Sequence, residues 1–394
     1  MGRPELPFAP EPSAASAHLP VGPASPRWRR FDRLVVALVL VGLCAPWALL
    51  LGGRRPKPIE NRPLVAFPQL TLTGLLDGSA MRGIDAFLAD NIAVRSYAVR
   101  VRGEVIRLSG GTGNPQVIRG VDNWLFSRSE LEPTCGYDAA TVLTSIQAAA
   151  STIAAHGGTF RFLAVPDKRA IYPEKLPVDP FPAPCTELRR QAFRAGLASI
   201  APIGVDGWSP LLAKRASDPS ALLYWPGDTH WTALGSLQDI RDLVRSLDPS
   251  LWSDSDVVIS GLRARTVDLE LQLGIRRVET TPHVTTRPAM TVSRTDLSVP
   301  VEIHNARTIW TTTATGPQRT VPGRTLVVYD SFFGLDYGLV APYFASATWL
   351  HVGDLENHPE LAAVLGHFDT VIVERVERAI YTTDPATLLA QLER

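Results

Sequence analysis

Leu326-Val327-Val328-Tyr329-Asp330-Ser331-Phe332-Phe333 runs a short apolar strand straight into an Asp-Ser pair and then into an apolar stretch that can start a helix. Strand, polar turn and helix form the repeating unit of an α/β fold, and the flanking chain reads the same way. Residues 139–155 carry a helical pattern closed by Gly157-Gly158, and a short apolar strand follows at 160–165. Residues 187–199 and 233–247 read as helices, and 348–352 and 370–374 as strands. Short β-branched strands alternating with helices predict an α/β/α sandwich, a parallel sheet covered on both faces. Residues 81–108, with apolar positions at helical spacing, are expected to form a helix pair outside the sheet. Residues 257–325 break the rhythm. They are rich in Thr, Val and Arg, with apolar residues alternating at Val299, Val301 and Ile303, and are expected to be a β-rich insertion.

Towards the N-terminus, LVVALVLVGLCAPWALLLG at 34–52 holds no charge and approaches the ~20 residues needed to cross a bilayer. A transmembrane helix is expected there. The alternative, a cleaved signal peptide, fits less well, because the run begins at residue 34 and is longer than the ~7–15-residue apolar region of a signal. Arginines flank both ends, so the positive-inside bias is slight and favours an N-in orientation only weakly. Residues 1–30, rich in Pro and Ala, are expected to be a disordered cytoplasmic tail. Residues 53–79, whose first part GRRPKPIENRPLVAFP holds four prolines, are expected to be an extended stalk. The remaining 80–394 is expected to be one catalytic domain.

The chain of 394 residues has 39 Lys+Arg against 39 Asp+Glu, so no net field favours nucleic acid. Its three cysteines show no metal-type spacing. His351 with Asp354 lacks the third ligand of a zinc site, and neither a metal nor a cofactor is expected.

In open α/β sheets, ligands sit beyond the carboxyl ends of the strands, so polar residues just after apolar strands are examined first. Ser331 occupies such a place, with the N–H groups of a new helix turn beside it. A serine hydroxyl is a poor nucleophile unless a histidine takes its proton and a carboxylate fixes the imidazole tautomer. Tyr224-Trp225-Pro226-Gly227-Asp228-Thr229-His230-Trp231 supplies both groups just before a helix. Residues two apart project to one side only in extended chain, so Asp228 and His230 must lie in a loop, as Pro226-Gly227 suggests. Taken singly, each motif is more often a turn or a helix cap than a functional site.

Several segments, in order, carry a resemblance. They are Val165-Pro166-Asp167-Lys168 with Ile171-Tyr172-Pro173-Glu174-Lys175-Leu176-Pro177, Gly227-Asp228-Thr229-His230-Trp231 with Gly235, and Tyr329-Asp330-Ser331-Phe332. Glu60-Asn61-Arg62, Trp124-Leu125-Phe126, Asp268-Leu269 with Leu273-Gly274, and Val371-Ile372-Val373-Glu374 extend it. From about residue 60 to 380 the chain resembles the AlgJ/AlgX family of SGNH-hydrolase-like alginate O-acetyltransferases. The resemblance implies a flavodoxin-like domain facing the periplasm from the inner membrane, with Ser331 as the acylated nucleophile. It further implies His230 as base and then acid, Asp228 as its orienting carboxylate, and a family-specific order in which Asp-x-His precedes the serine. Acetyl would come from a separate multi-spanning acyltransferase and pass to a polysaccharide acceptor.

Tyr329 stands where a glycine is common before Asp-Ser. Tyr337 is implied to offer a ligand-contacting hydroxyl, with core packing as the alternative. Lys168, with Asp167, either contacts substrate or ties down the following loop. Arg375 and Glu377 are expected to form a surface ion pair. A periplasmic address would allow a Cys135–Cys185 disulfide, which is expected over two buried thiols. Two other functions fit the same residues: an acetyl esterase using water as acceptor, and a non-catalytic scaffold or polysaccharide-binding subunit of an export assembly.

Overall fold

The computed structural model describes residues 26–52, 65–91, 95–108, 110–132, 135–298, 309–382 and 385–393. The chain divides into two compact units, Met1–Lys57 with Leu64–Arg95, and Pro58–Pro63 with Ser96–Arg394. In the first unit, helix Ser79–Asn91 is pinned to the segment before it by hydrogen bonds. Asn91 Nδ2 donates to the Val65 carbonyl at 2.9 Å, and Val65 N–H donates to Asp90 Oδ2 at 3.1 Å. A helix, Pro26–Leu51, covers the apolar run. Among the described residues, however, no helix is long and apolar enough to cross a membrane, so the transmembrane helix expected at 34–52 finds no support there. Several side chains of that run lie outside the described residues. The tail expected at 1–30 lies almost wholly outside the described residues, as does the 53–64 part of the stalk.

The second unit opens with helix Arg95–Leu108 and a small antiparallel ribbon, β1 Val117–Arg119 and β2 Leu125–Ser127. Helix Ala139–Ala155 follows. Asp138 caps it by accepting from Thr141 N–H at 2.7 Å, and Val142, Ile146, Ala149, Ala150 and Ile153 form its buried face. Gly157 ends it at φ +80°, a conformation open to glycine, and the chain turns into β3 Thr159–Val165. After β3 come helix Pro184–Ser199, β4 Gly204–Asp206, helix Trp208–Ser217 and helix Ala233–Leu247. The hairpin β5 Val257–Thr266 and β6 Val278–Thr286 stands as its own two-stranded sheet. Next are β7 Thr291–Asp296, β8 Trp310–Thr315, β9 Val321–Tyr329, helix Ser331–Val340, β10 Phe344–His351 and β11 Thr370–Val376.

The main sheet runs β4-β3-β11-β9-β10-β8-β7. Its first five strands are parallel, and β8 and β7 add antiparallel to β10 and to each other. The sheet is therefore mixed, where an all-parallel one was expected. Among the described residues, only the strands β5 and β6 stand apart from the sheet in the span 257–325 expected to be an insertion. Residues 299–308, with the alternation at Val299, Val301 and Ile303, lie outside the described residues. β7 and β8 are neighbours both along the chain and in the sheet, and an antiparallel pair, unlike a parallel one, needs no long crossover connection.

β11 is buried along its whole length, which is what a central strand covered by helices requires. Fully burying a Val, Leu or Phe side chain is worth roughly 1.5–3 kcal/mol, so this apolar centre anchors everything mounted at its carboxyl edge. Register aligns Val373 with Val328 and Val376 with Val165, so β9, β11 and β3 end together. Ser331, Glu377 and Asp167 leave the sheet from that common edge.

Candidate active site

Asp330 caps the helix that begins at Ser331 by accepting from Phe332 N–H at 2.9 Å, and its other oxygen accepts from Val376 N–H at 2.8 Å. The N–H of Asp330 donates to Glu374 Oε2 at 2.9 Å. The turn carrying the serine is thus bolted to β11. The second motif is a narrow loop closed by the Tyr224–Trp231 bridge, with Thr232 N–H donating to the Leu223 carbonyl at 2.8 Å. Gly235 permits this closure, because a Cβ there would lie 2.2 Å from the Leu223 carbonyl oxygen.

The two loops meet. Ser331 Oγ lies 2.9 Å from His230 Nε2, and His230 Nδ1 lies 2.6 Å from Asp228 Oδ1. The hydrogen-bond network assigns the proton to Nδ1, which leaves the Nε2 lone pair facing the serine hydroxyl. Asp228 is fully buried, and its second oxygen accepts from Arg265 Nε at 2.9 Å and from the Asp268 N–H at 3.0 Å. Burial alone would push this carboxyl up. The hydrogen bond and charge of His230, with Arg265 and the Asp268 N–H, outweigh burial and hold it well below the usual carboxylate range.

A second carboxylate stands behind the imidazole. Asp268 Oδ2 lies 3.6 Å from His230 Nδ1 and accepts from Thr229 Oγ1 at 2.6 Å, while Oδ1 accepts from Thr229 N–H at 2.9 Å. Burial, and then the Asp228 charge, raise the Asp268 carboxyl. Among the described residues, Asp228, His230 and Asp268 are the group whose possible metal-ligand atoms all lie within 4.8 Å of one another. Here the Arg265 guanidinium already neutralises Asp228, and Nδ1 is engaged as a hydrogen-bond donor.

Residues 117–255 match the family model described as SGNH hydrolase-like domain, acetyltransferase AlgX, a span that contains the Asp228–His230 loop. Over this span the chain is similar to the AlgJ/AlgX family. A probable alginate O-acetylase AlgJ of Pseudomonas putida is 25% identical over 175 residues, 44% of this chain and 44% of that protein. A probable alginate O-acetylase AlgJ of Azotobacter vinelandii is 29% identical over 143 residues, 35% of each. The matched part spans less than half the length of these curated relatives. Among solved structures, the O-acetyltransferase domain of Pseudomonas putida AlgJ compares at TM-score 0.46 and 17% identity, covering 71% of this chain and 99% of that one. Bacillus cereus PatB1 compares at TM-score 0.48 and 12% identity, covering 69% and 99%.

Not every residue singled out from the sequence lies at the Asp228–His230–Ser331 relay. Lys168 is fully buried, and its ammonium is caged by backbone carbonyls. It donates to the carbonyls of Leu125 and Asp228, the latter at 2.7 Å, and reaches those of Trp225 and Pro226 at 3.4 Å each. These contacts tie down the loop that carries Asp228, as one of its two expected roles requires. Tyr337 packs edge-on against Trp310 and Trp349, at 5.7 Å from each ring, near Arg294. These contacts are those of the packing alternative, and a kink at Asp336 interrupts the helix between Ser331 and Tyr337. Tyr329 is absorbed into the same aromatic cluster, 5.4 Å from Trp310, and Gly334 makes room for its ring.

Arg375 and Glu377 do not form the expected surface pair. Both are buried, Arg375 bonding Glu356 at 3.1 Å and Glu377 accepting from Arg190. Arg265, and the contact of Asp268 with the triad, were missed by sequence reasoning. Asp268 had stood out only as part of a family motif, and an arginine on an exposed strand carries no signal of its own.

Proposed function

We propose that this chain is an O-acetyltransferase that carries acetyl on Ser331 and delivers it to hydroxyls of an extracytoplasmic polysaccharide. The observation that supports this is the unbroken relay from Asp228 through His230 to Ser331. His230 Nε2 takes the serine proton as the hydroxyl attacks an acetyl donor. The imidazolium is stabilised by the buried Asp228 carboxylate, then gives its proton to the leaving group. A sugar hydroxyl, deprotonated by the same nitrogen, attacks the acetyl-serine and frees the enzyme. The acyl oxyanion would lie against the Ser331 N–H, one of the donors that a helix start leaves without an intrahelical acceptor.

Supporting the address, Cys135 and Cys185 are joined in a disulfide, a bond that persists in oxidising compartments such as the periplasm. The apolar run at 34–52 would then hold the enzyme at the inner membrane beside a membrane-bound acyltransferase that supplies acetyl. The relatives' names make alginate the first acceptor to test.

The test is to treat the protein with an activated acetyl ester and locate the adduct by mass spectrometry. Acetyl on Ser331, absent in Ser331→Ala and in His230→Ala, is the expected result. Full activity with no acetyl on Ser331 sinks the assignment. Partition of the adduct between acetylated oligosaccharide and free acetate separates the transferase from an esterase. Unchanged polymer acetylation in Ser331→Ala cells would favour the scaffold.

A further inference from the structure

One carboxylate beside the relay has no task in it. Asp268 begins a short helix, Asp268–Gln272, and this segment grips the His230 loop in both directions. The Asp268 N–H donates to Asp228 Oδ2 at 3.0 Å, while its carboxylate accepts from the Thr229 N–H at 2.9 Å and from the Thr229 hydroxyl at 2.6 Å. The N–H groups of Leu269 and Glu270 donate to the Gly227 carbonyl at 3.1 and 3.4 Å. Residues 227–229 are thus held from one side by one segment.

The proton directions in this contact are fixed. A threonine hydroxyl has a single proton, and the two Thr229 donors favour an ionised Asp268, which brings none. At 2.6 Å the hydroxyl therefore donates to Asp268 Oδ2, and its lone pairs are left for His230 Nδ1, 3.1 Å away. Nδ1 carries the imidazole proton in the tautomer that serves Ser331. That proton is then shared between Asp228 Oδ1 at 2.6 Å and the Thr229 hydroxyl. Two carboxylates serve one imidazole, Asp228 directly and Asp268 through a hydroxyl.

The charges around His230 point the same way. Arg265 on β5 pairs with Asp228, and the Lys168 ammonium is held by the Asp228 carbonyl. Asp336, on the helix of Ser331, pairs with Arg263, while Glu270 and Glu279 face Arg277. Arg378, beyond the Phe332 ring that packs on His230, pairs with Asp167. Asp268 differs: among the described residues no lysine or arginine pairs with it, and its carboxylate lies 3.6 Å from Nδ1. The cation set against it is the imidazolium that forms when His230 takes the serine proton.

From this geometry we propose that Thr229 and Asp268 form a second branch of the relay. Asp268 is a positioning residue: it fixes the His230 imidazole through the Thr229 hydroxyl and adds its charge to that of Asp228 when the imidazolium forms. The inference rests on the relay reading above.

The measurement is the pH profile of kcat/KM for an activated acetyl ester on the full chain, beside the rate at which Ser331 gains acetyl. The acid limb marks the loss of neutral His230. Asp268→Asn removes a negative charge from beside the imidazole and lowers the His230 pKa, so the limb should move down by about one pH unit. Thr229→Val deletes the bridging hydroxyl and keeps the carboxylate. It should lose about three- to tenfold in kcat with KM unchanged, the range for one lost hydrogen bond, and Thr229→Ser should recover most of that loss. Because both residues act through one contact, Asp268→Asn combined with Thr229→Val should be no slower than Asp268→Asn alone. A limb at the wild-type pH in Asp268→Asn, losses that multiply in the double variant, or a Thr229→Ser as slow as Thr229→Val overturns the branch. Should Asp268→Asn fold poorly, the two Thr229 variants carry the test. The two readings fail separately. No acetyl on Ser331 in the parent removes the relay and the branch with it, whereas normal acetylation of the parent with coincident pH profiles removes only the branch.

Discussion

Replacing Lys168 with methionine tests whether this residue builds the site or touches substrate. Its ammonium, fully buried, donates to the carbonyls of Leu125 and Asp228 and reaches two more at 3.4 Å. Burial lowers the lysine pKa, with Glu130, Asp268 and Asp228 acting to raise it again. Methionine keeps the stem and removes the donors. A buried carbonyl left without its partner costs about 1–3 kcal/mol, and two of the four contacts are short. Set against this, a charge no longer has to be kept from water, which leaves a net destabilisation of about 2–4 kcal/mol. At roughly 2–3 °C per kcal/mol for a domain of this size, the melting temperature should fall about 5–10 °C by scanning calorimetry. The loop that loosens is the one presenting Asp228 and His230, and a displacement near 1 Å can lower turnover about 100-fold. Hydrolysis of an activated acetyl ester should therefore slow at least about tenfold, even when measured well below the melting point. Wild-type melting and ester turnover combined with weakened saccharide affinity would refute the reasoning and return Lys168 to the role of substrate contact.

Three further outcomes follow from the same geometry. Asp228→Asn should keep its fold yet lose about 10³–10⁴ in kcat, as expected when the imidazole loses its tautomer-fixing carboxylate. The folded pKa of Asp228 lies below the unfolded value of about 4, so its stabilisation is present above that pH and is lost as pH falls further. Melts taken from neutral to acid should therefore decline in the wild type and flatten in Asp228→Asn, and parallel curves would contradict the linkage. Arg265→Met leaves one Asp228 oxygen with only the Asp268 N–H. It should lower kcat about tenfold or more with little change in KM, whereas a change confined to KM in steady-state kinetics would make Arg265 a substrate ligand. Cys185→Ser opens a loop with a sequence separation of 50 and should lower stability by about 4 kcal/mol in denaturant titration, an effect that reductant should reproduce on the wild type.

Much of the fold was legible because its signals are local. The helix expected at 139–155 is found as Ala139–Ala155, since a capping Asp138 and the Gly157 turn fix its ends within the sequence itself. The helix expected at 233–247 is likewise found as Ala233–Leu247. The antiparallel edge was not legible. Alternation in β7 and β8 announces strands without naming their partners, and β8 pairs with β10, which lies beyond β9 in the chain.

At the site, Ser331, His230 and Asp228 could be picked from sequence because each stands beside a strand end or turn in a residue type that carries its own chemistry. That they meet, with 2.9 Å and 2.6 Å between successive partners, is a fact of packing across a separation of 101 residues. Lys168 and Arg265 show the limit most clearly. One cationic side chain is sealed among carbonyls and the other completes a carboxylate's shell from a hairpin 37 residues away. Sequence determined which groups are available and which local shapes carry them, because propensity and capping act over a few residues. Only the tertiary structure decided which charge faces a substrate and which holds the frame, because burial and partner choice depend on segments that meet only when the chain has folded.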